Sequence, residues 1–407
     1  MISPEVLQVK TSEENNVSRR ARAIPPFLAM DVLDQSRALE AEGRDIVHLE
    51  LGEPDFPTPD NVLQAALKAV RDGYTSYTLT QGLLELRESI SEFYYAEYGV
   101  KVHPDQIIVT TGSSPAMLLV FGTLLNPGEE VIIPDPHYPP YPANISFIGG
   151  VPVKFDLDES TGFRYNTDTV ASKITPRTKG IIINSPSNPT GMMQDESVHR
   201  GLAETSEERG LFIISDEIYH GLTYGSDRTH TMLEFTERSF VMSGFSKRYA
   251  MTGWRLGWVI APEEFIEPMK NLHMNYFLSA SGFVQVAGIE ALSNCKDAVE
   301  KMRATYELRR NFLLTELRRI GFTFEVEPHG AFYLLLNTKH FADSSVELAK
   351  RLLHEAGVAC TPGVDFGEKA EGYLRLSYAA SMSALEEAVR RFEKWIGQNA
   401  SAFYVEG

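Results

Sequence analysis

Short apolar runs, separated by segments of helical pattern, are the feature that most restricts the fold of this 407-residue chain. Each run is rich in Val and Ile and stops at polar or small residues. Runs of this kind, alternating with helices, are typical of βαβ units, which build a largely parallel sheet. The runs are QIIVTTG, EVIIPDP, VPVKFDL, GIIINSPSNPTG, LFIISDEIY, SFVMSGFSK and RLGWVIAP.

The C-terminal part of the chain, from about residue 285, has a different pattern. Apolar residues at helical spacing predict one long helix over 299–320, and FTFEVEPHGAFYLLLN predicts a strand pair. Gly357 suits the left-handed cap of a helix in SVELAKRLLHEAG, and Ser383 with Glu386 predicts a capping box at the last helix. An amphipathic helix over IPPFLAMDVLDQSRALEAEG, ending at Gly43, precedes the first run. We therefore expect a second, smaller α+β domain, joined by this N-terminal helix.

Composition narrows the function classes. The chain has 38 basic and 55 acidic residues, a net charge of −17, which argues against nucleic acid because that binding rests on basic contacts to phosphate. The two cysteines, Cys295 and Cys360, form neither a disulfide framework nor a metal-ligand spacing, which fits a reducing compartment. The start, MISPEVLQVKTSEENNVSRR, lacks the apolar core of a signal peptide, and no run approaches the ~18 apolar residues of a membrane helix. We expect a cytoplasmic protein with no membrane partner.

Polar residues follow the apolar runs, and ligands of open parallel sheets bind beyond the carboxyl ends of the strands. Gly112, Ser113 and Ser114 directly precede a helix, so they form either an anion site at its N-terminus or an ordinary capped turn. Asn184 and Asn188 stand in a Pro-rich turn, where asparagines also bond their own backbone. The chain has no Walker-type loop and no G-x-G-x-x-G after a first strand, so the usual markers of nucleotide chemistry are missing.

Charged residues add chemistry to these strand ends. Lysine is rarely buried unless it is paired, yet Lys247 directly follows an apolar run, with Arg255 eight residues on. A lysine near other cations becomes an amine nucleophile for carbonyls, and an arginine fork suits phosphate or carboxylate. Asp216 ends another run; taken alone, it is more typical of a helix cap, and Arg375 alone is typical of a strand edge. Together they are the groups that a protein supplies to pyridoxal phosphate: a Schiff-base lysine, an aspartate for the ring nitrogen and an arginine for the phosphate.

The motifs in their order identify a resemblance that covers nearly the whole chain. They are LELGEPDFPTP, YTLTQGLLELR, TTGSSPA, PDPHYPPY, NSPSNPTG, SDEIY, SGFSKRYAMTGWRLGW, PHGAFY and LRLSYA. The chain resembles the class I/II aminotransferases, pyridoxal-phosphate enzymes of fold type I in the aspartate aminotransferase superfamily. The resemblance implies an α/β large domain over 51–290, with a mostly parallel seven-stranded sheet between helices. It implies a smaller α+β domain made of 1–50 and 291–407.

The resemblance also implies the roles of particular residues. Lys247 forms the Schiff base, Asp216 bonds the pyridine nitrogen, and Tyr219 bonds the phenolic oxygen of the ring. Tyr138 stacks on the ring, and Tyr141 is a partner of the aspartate. The residues implied to bind the cofactor are Gly112, Ser113, Ser114, Tyr138, Asn188, Asp216, Tyr219, Ser243, Ser246, Lys247, Arg255 and, from the neighbouring subunit of a homodimer with shared sites, Tyr77.

One departure from the family concerns the phosphate. Many relatives have a serine three residues before the lysine, where this chain has Gly244, so either Ser243 or Ser246 is the candidate instead. No metal site is expected. For the substrate carboxylate, the resemblance implies Gly52 and Arg375, helped by Asn188.

The implied activity is transfer of an amino group between an L-amino acid and a 2-oxo acid, by a ping-pong mechanism through the lysine Schiff base. A lyase or synthase on the same scaffold is the nearest alternative, because the fold does not settle the reaction. A non-enzymatic ligand-sensing module is a further one, although its usual winged-helix domain finds no room in this chain. Family members that use aspartate or glutamate need a second cation, and LHMNYFLSASG offers His273 and Asn275 but no arginine. This favours neutral or aromatic amino acids.

Overall fold

The structure is a computed structural model that describes residues 17–225, 228–324 and 326–403. The prediction about a signal peptide concerns mainly residues 1–16, which lie outside the described ranges. Among the described residues, no helix is long and apolar enough to cross a membrane. Cys295 and Cys360 are both free and buried.

In the described part of the chain, the strands form three sheets. They are β1 (Val47–His48), β2 (Ile107–Thr110), β3 (Glu130–Asp135), β4 (Val151–Asp156), β5 (Thr178–Asn184), β6 (Phe212–Asp216), β7 (Ser239–Gly244), β8 (Gly257–Ile260), β9 (Tyr333–Asn337), β10 (Val358–Ala359), β11 (Thr361–Pro362) and β12 (Tyr373–Ser377).

Helices surround these sheets. They are α1 (Arg19–Ala23), α2 (Leu28–Ala41), α3 (Asp60–Arg71), α4 (Leu84–Tyr98), α5 (Ser113–Leu124), α6 (Pro140–Phe147), α7 (Thr167–Ser172), α8 (Glu196–Arg209), α9 (Glu263–Tyr276), α10 (Gly282–Asn294), α11 (Lys296–Arg319), α12 (Ser345–Arg351) and α13 (Met382–Phe403).

The large sheet is formed by the strands that the apolar runs predict. Its order is β2-β8-β7-β6-β5-β3-β4, and its pairings are parallel except those of β8, which is antiparallel to both neighbours. Side chains of β5 alternate between the two faces: Ile181 and Ile183 enter one apolar cluster, whereas Ile182 enters another. A strand buried on both faces needs helices on both sides, which explains why its run is apolar throughout. The predicted α/β fold with a mainly parallel seven-stranded sheet is confirmed.

A separate apolar cluster lies under the antiparallel sheet β11-β12-β9 and includes α11 and α13 side chains such as Leu313 and Phe392. The N-terminal segment joins this part, because β1 pairs in parallel with β10. The domain limits of 51–290, and of 1–50 with 291–407, stay a prediction. Gly357 has a positive φ of 68° and caps the helical segment before β10, as the sequence indicates.

Two local predictions in this part are wrong. The described residues of FTFEVEPHGAFYLLLN form no strand pair: β9, the one strand among them, pairs with β12, and an isolated bridge joins Thr323 to Asn337. The physical reason is that the amides of Gly330 and Ala331 donate to carbonyls of Gly191 and Leu222, outside this segment.

The last helix also begins earlier than predicted. α13 starts at Met382, so Ser383 lies inside it, and Ser381 provides the cap by accepting a 3.2 Å hydrogen bond from the amide of Ala384.

Candidate active site

The candidate residues gather at one edge of the large sheet. Because β5, β6 and β7 are parallel neighbours, Asn184, Asp216 and Gly244 reach this edge together. β8 runs the opposite way and therefore begins here, two residues after Arg255, while β2 ends here and leads into α5. Strand direction alone thus collects residues that are far apart in sequence.

Asp216 is held at the end of β6 by neighbouring strands and helices. The hydroxyl of Tyr141 donates to Oδ2 at 2.7 Å, and the amide of Ile218 donates to Oδ1 at 3.3 Å. Asn184 donates its side-chain amide to the Asp216 carbonyl at 2.9 Å. Burial raises the pKa of Asp216, and the Tyr141 bond opposes this. Among the described residues Asp216 has no ion-pair partner, so it is a buried carboxyl group that would be stabilised by a cation.

Lys247 lies three residues past β7, with its Nζ 2.6 Å from the backbone oxygen of Gly52. The pKa of Lys247 is lowered to about 8, mainly by burial; Glu53 and Asp216 oppose this effect, and Arg375 and Arg255 add to it. A lysine with such a pKa is partly unprotonated near neutrality, so its amine can act as a nucleophile and as a base.

Arg255 and the start of α5 form a small cradle. Arg255 has a positive φ of 54°, and its Nη1 donates to the carbonyl of Thr252 at 2.9 Å. Gly112 has a φ of 103°, and a Cβ there would lie 2.4 Å from Nη2 of Arg255. Gly257 is equally confined, since a Cβ would lie 3.0 Å from the amide nitrogen of Ser113. Glycine is therefore required for the guanidinium to approach the helix N-terminus, which is an anion-binding arrangement.

Arg375, on β12, is almost fully buried, at 2% exposure, and stacks between the rings of Tyr333 and Phe366 at 4.5 and 4.8 Å. Its Nη1 donates to Oδ1 of Asn188 at 3.1 Å. Its Nη2 bonds the carbonyl of Glu50, and its Nε has no hydrogen-bond partner. Arg375 forms no ion pair among the described residues. A buried guanidinium of this kind is costly unless it receives an anion.

Three tyrosines complete the site. Tyr219 and Tyr333 share a hydrogen bond of 2.7 Å between their hydroxyls, and burial raises the pKa of both, so both stay protonated. Tyr333 also leaves no room for a side chain at Gly52, because a Cβ there would lie 2.2 Å from the tyrosine hydroxyl. Tyr138 packs edge-on against Tyr141.

Most of these groups line one cavity of about 210 Å³. Gly112 and Arg255 do not line it, and Arg255 lines a second cavity of about 580 Å³ instead. The predicted residues that line the first cavity are Gly52, Ser113, Tyr138, Asn188, Asp216, Tyr219, Lys247 and Arg375.

Other predicted residues lie outside that cavity. Ser114 is exposed, and Tyr77 is exposed to 83% on the surface. Ser243 is buried and donates its hydroxyl to the Glu217 carbonyl at 3.2 Å, and Ser246 is buried without lining the cavity. Packing explains the glycine at position 244, because a Cβ there would lie 2.9 Å from the carbonyl of Leu256.

His273 and Asn275, considered as substrate contacts, do not line the cavity of their own chain. His273 bonds the Thr80 carbonyl through Nδ1 at 2.9 Å, and Asn275 donates to the carbonyl of Asn271 at 2.8 Å. Among the described residues, no group of His, Cys, Asp and Glu side chains is arranged to hold a metal ion.

Sequence reasoning missed several lining residues. Tyr333 stands in PHGAFY, a motif that was recognised without a role being assigned to the tyrosine. Phe27, Ala29 and Met30, around the start of α2, also line the cavity, and nothing in their local pattern distinguishes them from other residues of an amphipathic helix.

A mainly parallel seven-stranded sheet beside a smaller α+β part is the fold of the fold type I pyridoxal-phosphate enzymes. The family model for aminotransferase class I and II matches residues 44–392. The chain therefore belongs to the class I and II aminotransferases, which depend on pyridoxal phosphate, and the prediction of the family, the enzyme class and the cofactor is confirmed.

Similar proteins span nearly the whole chain. A probable aspartate/prephenate aminotransferase of Aquifex aeolicus is 38% identical over 387 residues, which cover 93% of this chain and 98% of the relative. An aspartate aminotransferase of Geobacillus stearothermophilus is 38% identical over 394 residues, covering 94% and 100%. The solved structure of Thermus thermophilus aspartate aminotransferase with maleate has a TM-score of 0.90 at 39% identity, covering 93% of this chain and 99% of that one.

The residues of the site fit pyridoxal phosphate. The cradle of Gly112, Ser113 and Arg255 offers a cation and a helix N-terminus to a phosphate. The buried Asp216, which has no ion-pair partner among the described residues, matches a protonated ring nitrogen, and Lys247 offers an amine within the same cavity. A phosphate, a protonated ring nitrogen and an aldehyde are the groups of pyridoxal phosphate that match these three features.

Proposed function

We propose that this protein transfers the amino group of an L-amino acid to a 2-oxo acid in two half-reactions that share the cavity of Lys247, Asp216 and Arg375. The observation that carries the proposal is the buried Arg375, which has an unpartnered Nε and no ion pair among the described residues, although the chain has a net charge of −17. In a protein with so many carboxylates, a buried guanidinium without an ion pair indicates a site for an anionic ligand. An α-carboxylate matches the two parallel N–H groups of the guanidinium.

The binding roles follow from position. Arg375 and Asn188, which share a 3.1 Å hydrogen bond, would hold the substrate carboxylate. Arg255, Ser113 and the amides at the start of α5 would hold the cofactor's phosphate, joined by Gly112 and Ser114. For the serines near Lys247, the Ser243 hydroxyl already bonds a backbone carbonyl, which leaves Ser246 as the candidate with no such bond.

When bound, pyridoxal phosphate supplies an electron sink and carries the amino group between the two half-reactions. The carboxylate of Asp216 would hold the proton on the ring nitrogen, and Tyr141 keeps that carboxylate in place. Tyr219 and Asn188 would donate to the phenolic oxygen, and Tyr138 would cover one face of the ring. Lys247 would take the proton from the substrate's α-carbon through its uncharged Nζ, because its pKa of about 8 permits both protonation states near neutrality.

We also infer a homodimer with shared sites. Tyr77 is exposed on the surface, and the hydroxyl of the next residue, Thr78, donates to the carbonyl of Ala280 at 3.2 Å. This bond joins the segment around Tyr77 to the segment before Ala280, and the two segments expose the apolar side chains of Leu79, Tyr276 and Leu278. Exposed apolar side chains gathered in this way are typical of a protein interface. In the dimer Tyr77 would contact the phosphate of the neighbouring subunit's cofactor.

The test is a half-reaction panel. The holoenzyme is mixed with one amino acid at a time, without any oxo acid, and the visible absorbance of the bound cofactor is followed. A transaminase converts its cofactor once, in stoichiometric amount, and then stops, because the amino group has no acceptor. Continued release of oxo acid or ammonia from a single amino acid would instead show a lyase and would contradict the proposal.

A further inference from the structure

The cavity has few cations for a substrate's side chain. Among the described residues, Lys247 and Arg375 are the only cationic side chains that line it, and both have roles at the α-carbon and the α-carboxylate. The other charged residues that line it are Glu50 and Asp216, which are acidic and buried. A second carboxylate on the substrate would therefore enter a site without a partner for its charge, which is strongly unfavourable when the group is desolvated.

The remaining wall is apolar. Phe27 and Met30, at the start of α2, stand with Ala29, Leu51 and Ile218 around the cavity. The ring of Phe27 packs edge-on against Tyr138, with centroids 6.4 Å apart and planes at 82°. Met30 is 43% exposed, which places it at the rim rather than in the core.

The start of α2 is fixed over the cavity by a carboxylate of the C-terminal part. The amides of Leu28 and Ala29 donate to the two oxygens of Asp365 at 3.0 and 3.3 Å, so this side chain caps a helix that has no cap of its own. The capping explains how Phe27 and Met30, although close to the chain's start, keep a defined place in the wall.

We propose that this wall is the subsite for the substrate's side chain and that it selects uncharged substrates: apolar or aromatic 2-amino acids, and the 2-oxo acids that correspond to them, over aspartate and glutamate. The inference rests on the proposed function, since it assigns the side-chain end of the same site. An apolar side chain gains by burial against Phe27 and Met30. An acidic side chain gains nothing there and loses its hydration.

The first experiment uses the holoenzyme as the assembled protein, in single-turnover half-reactions with phenylalanine, tyrosine, leucine and methionine, and with aspartate and glutamate. We expect the apparent second-order rate constant of the half-reaction to be about tenfold or more higher for the four uncharged amino acids than for aspartate and glutamate. A difference of this size is in the range that contacts in a binding pocket produce. Faster reaction with aspartate or glutamate would overturn the inference and would point to a cation from the partner subunit. Failure of every amino acid to react would contradict the proposed function itself.

A second measurement does not require turnover. 3-Phenylpropionate and succinate share one carboxylate for Arg375 and differ at the far end, where one has a phenyl ring and the other a second carboxylate. The shift that each causes in the cofactor's absorbance gives its dissociation constant. The inference requires tighter binding of 3-phenylpropionate, and tighter binding of succinate would overturn it.

A variant tests the location of the subsite. Met30→Lys places a cation at the rim and should raise the ratio of aspartate to phenylalanine reactivity by about tenfold or more. Val346→Lys is the matched control, because Val346 is 44% exposed and also lies in the first turn of a helix, α12, outside the cavity. An unchanged ratio in a folded Met30→Lys protein, equal to that of the control, would show that α2 does not contact the substrate's side chain. Phe27→Ala removes part of the apolar wall. It should therefore reduce the reactivity of phenylalanine more than that of alanine.

Discussion

The hydroxyl of Tyr141 lies 2.7 Å from Oδ2 of Asp216, and both side chains are buried at the carboxyl end of β6. The bond lowers the pKa of Asp216, against the burial that raises it. Tyr141 thus acts through the aspartate: it favours the charged carboxylate that a protonated ring nitrogen needs. This pair gives the first prediction.

Tyr141→Phe should slow the first half-reaction by about 10–100-fold, because a bond to a charged group contributes ~1.5–3 kcal/mol. Asp216→Ala removes the charge itself and should cost about 10²–10³-fold, as other preorganised electrostatic contacts do. Both rates come from stopped-flow absorbance. The matched control is Tyr378→Phe, which also loses one bond of a buried tyrosine, to the carbonyl of Ala331 at 3.3 Å, but does not line the cavity. Equal losses in Tyr141→Phe and Tyr378→Phe would mean that Tyr141 serves packing alone.

Lys247 should be the residue that bonds covalently to the cofactor. Borohydride reduction of the holoenzyme, followed by digestion and mass spectrometry, should place the reduced adduct on the peptide that contains Lys247. Lys247→Ala should still bind pyridoxal phosphate, since the contacts to phosphate and ring remain, but should fail at proton transfer from the α-carbon. The exposed Lys173 provides the control variant, Lys173→Ala. An adduct on another lysine would contradict the assignment.

The reactivity of Lys247 should depend on pH in a defined way. Its pKa is lowered to about 8, so the nucleophilic amine is scarce below pH 8 and predominates above it. In the apoenzyme, trapping of a small aldehyde on Lys247 by reduction should rise through a midpoint near pH 8. Glu53 opposes the lowering, so Glu53→Gln should move the midpoint to lower pH. A midpoint near that of ordinary lysines would show that the amine is solvated and not held in the site.

Arg375→Lys should separate carboxylate binding from amine chemistry. The substitution keeps the charge but loses the fork and the stacking between Tyr333 and Phe366. The apparent second-order rate constant for amino acids should fall by about 10–100-fold, the equivalent of ~1.5–3 kcal/mol. The rate constant for amines without a carboxylate should be unaffected. Those amines are the internal control. Equal losses for both kinds of substrate would indicate a folding defect, and no loss for amino acids would leave Arg375 without a substrate role.

The strands of the large sheet and about half of the lining residues could be predicted from the sequence, for a physical reason. A parallel strand that is buried on both faces must be apolar throughout, so its end is visible where the apolar run stops, as at Asp216. Parallel strand direction then places such ends at one edge. The strand pair in FTFEVEPHGAFYLLLN failed because its backbone bonds go to Gly191 and Leu222, far away in sequence.

Contacts between the two parts of the chain could not be predicted in this way. The hydroxyls of Tyr219 and Tyr333 meet from positions 114 residues apart, and Asp365 caps α2 from 337 residues away. Local pattern contains no information on such a pair. The N-cap of α13 could not be predicted from local pattern either, because Ser381 and Ser383 are two residues apart and both suit a helix start.

The last prediction concerns Tyr77 and the shared sites. Tyr77 is 83% exposed and does not line the cavity of its own chain, so a role in catalysis requires a neighbouring subunit. A two-fold interface would create two equivalent sites, each built from both chains. Mixing Lys247→Ala with Tyr77→Ala under conditions of subunit exchange should then restore activity. In each mixed dimer one site receives an intact Lys247 from one chain and an intact Tyr77 from the other, while the second site carries both lesions.

The mixture should therefore approach one quarter of the wild-type activity, because about half of the dimers are mixed at equal amounts and each has one intact site of two. The comparison requires that Tyr77→Ala alone is clearly impaired, which is measured first, and that exchange is confirmed by native mass spectrometry. The control mixes Lys247→Ala with Asp216→Ala, two residues that line the same cavity of one chain and therefore cannot complement. If Tyr77 acted within its own chain, its mixture would behave as that control does, with no activity beyond the sum of the two variants. That outcome, with exchange confirmed, would refute the shared site.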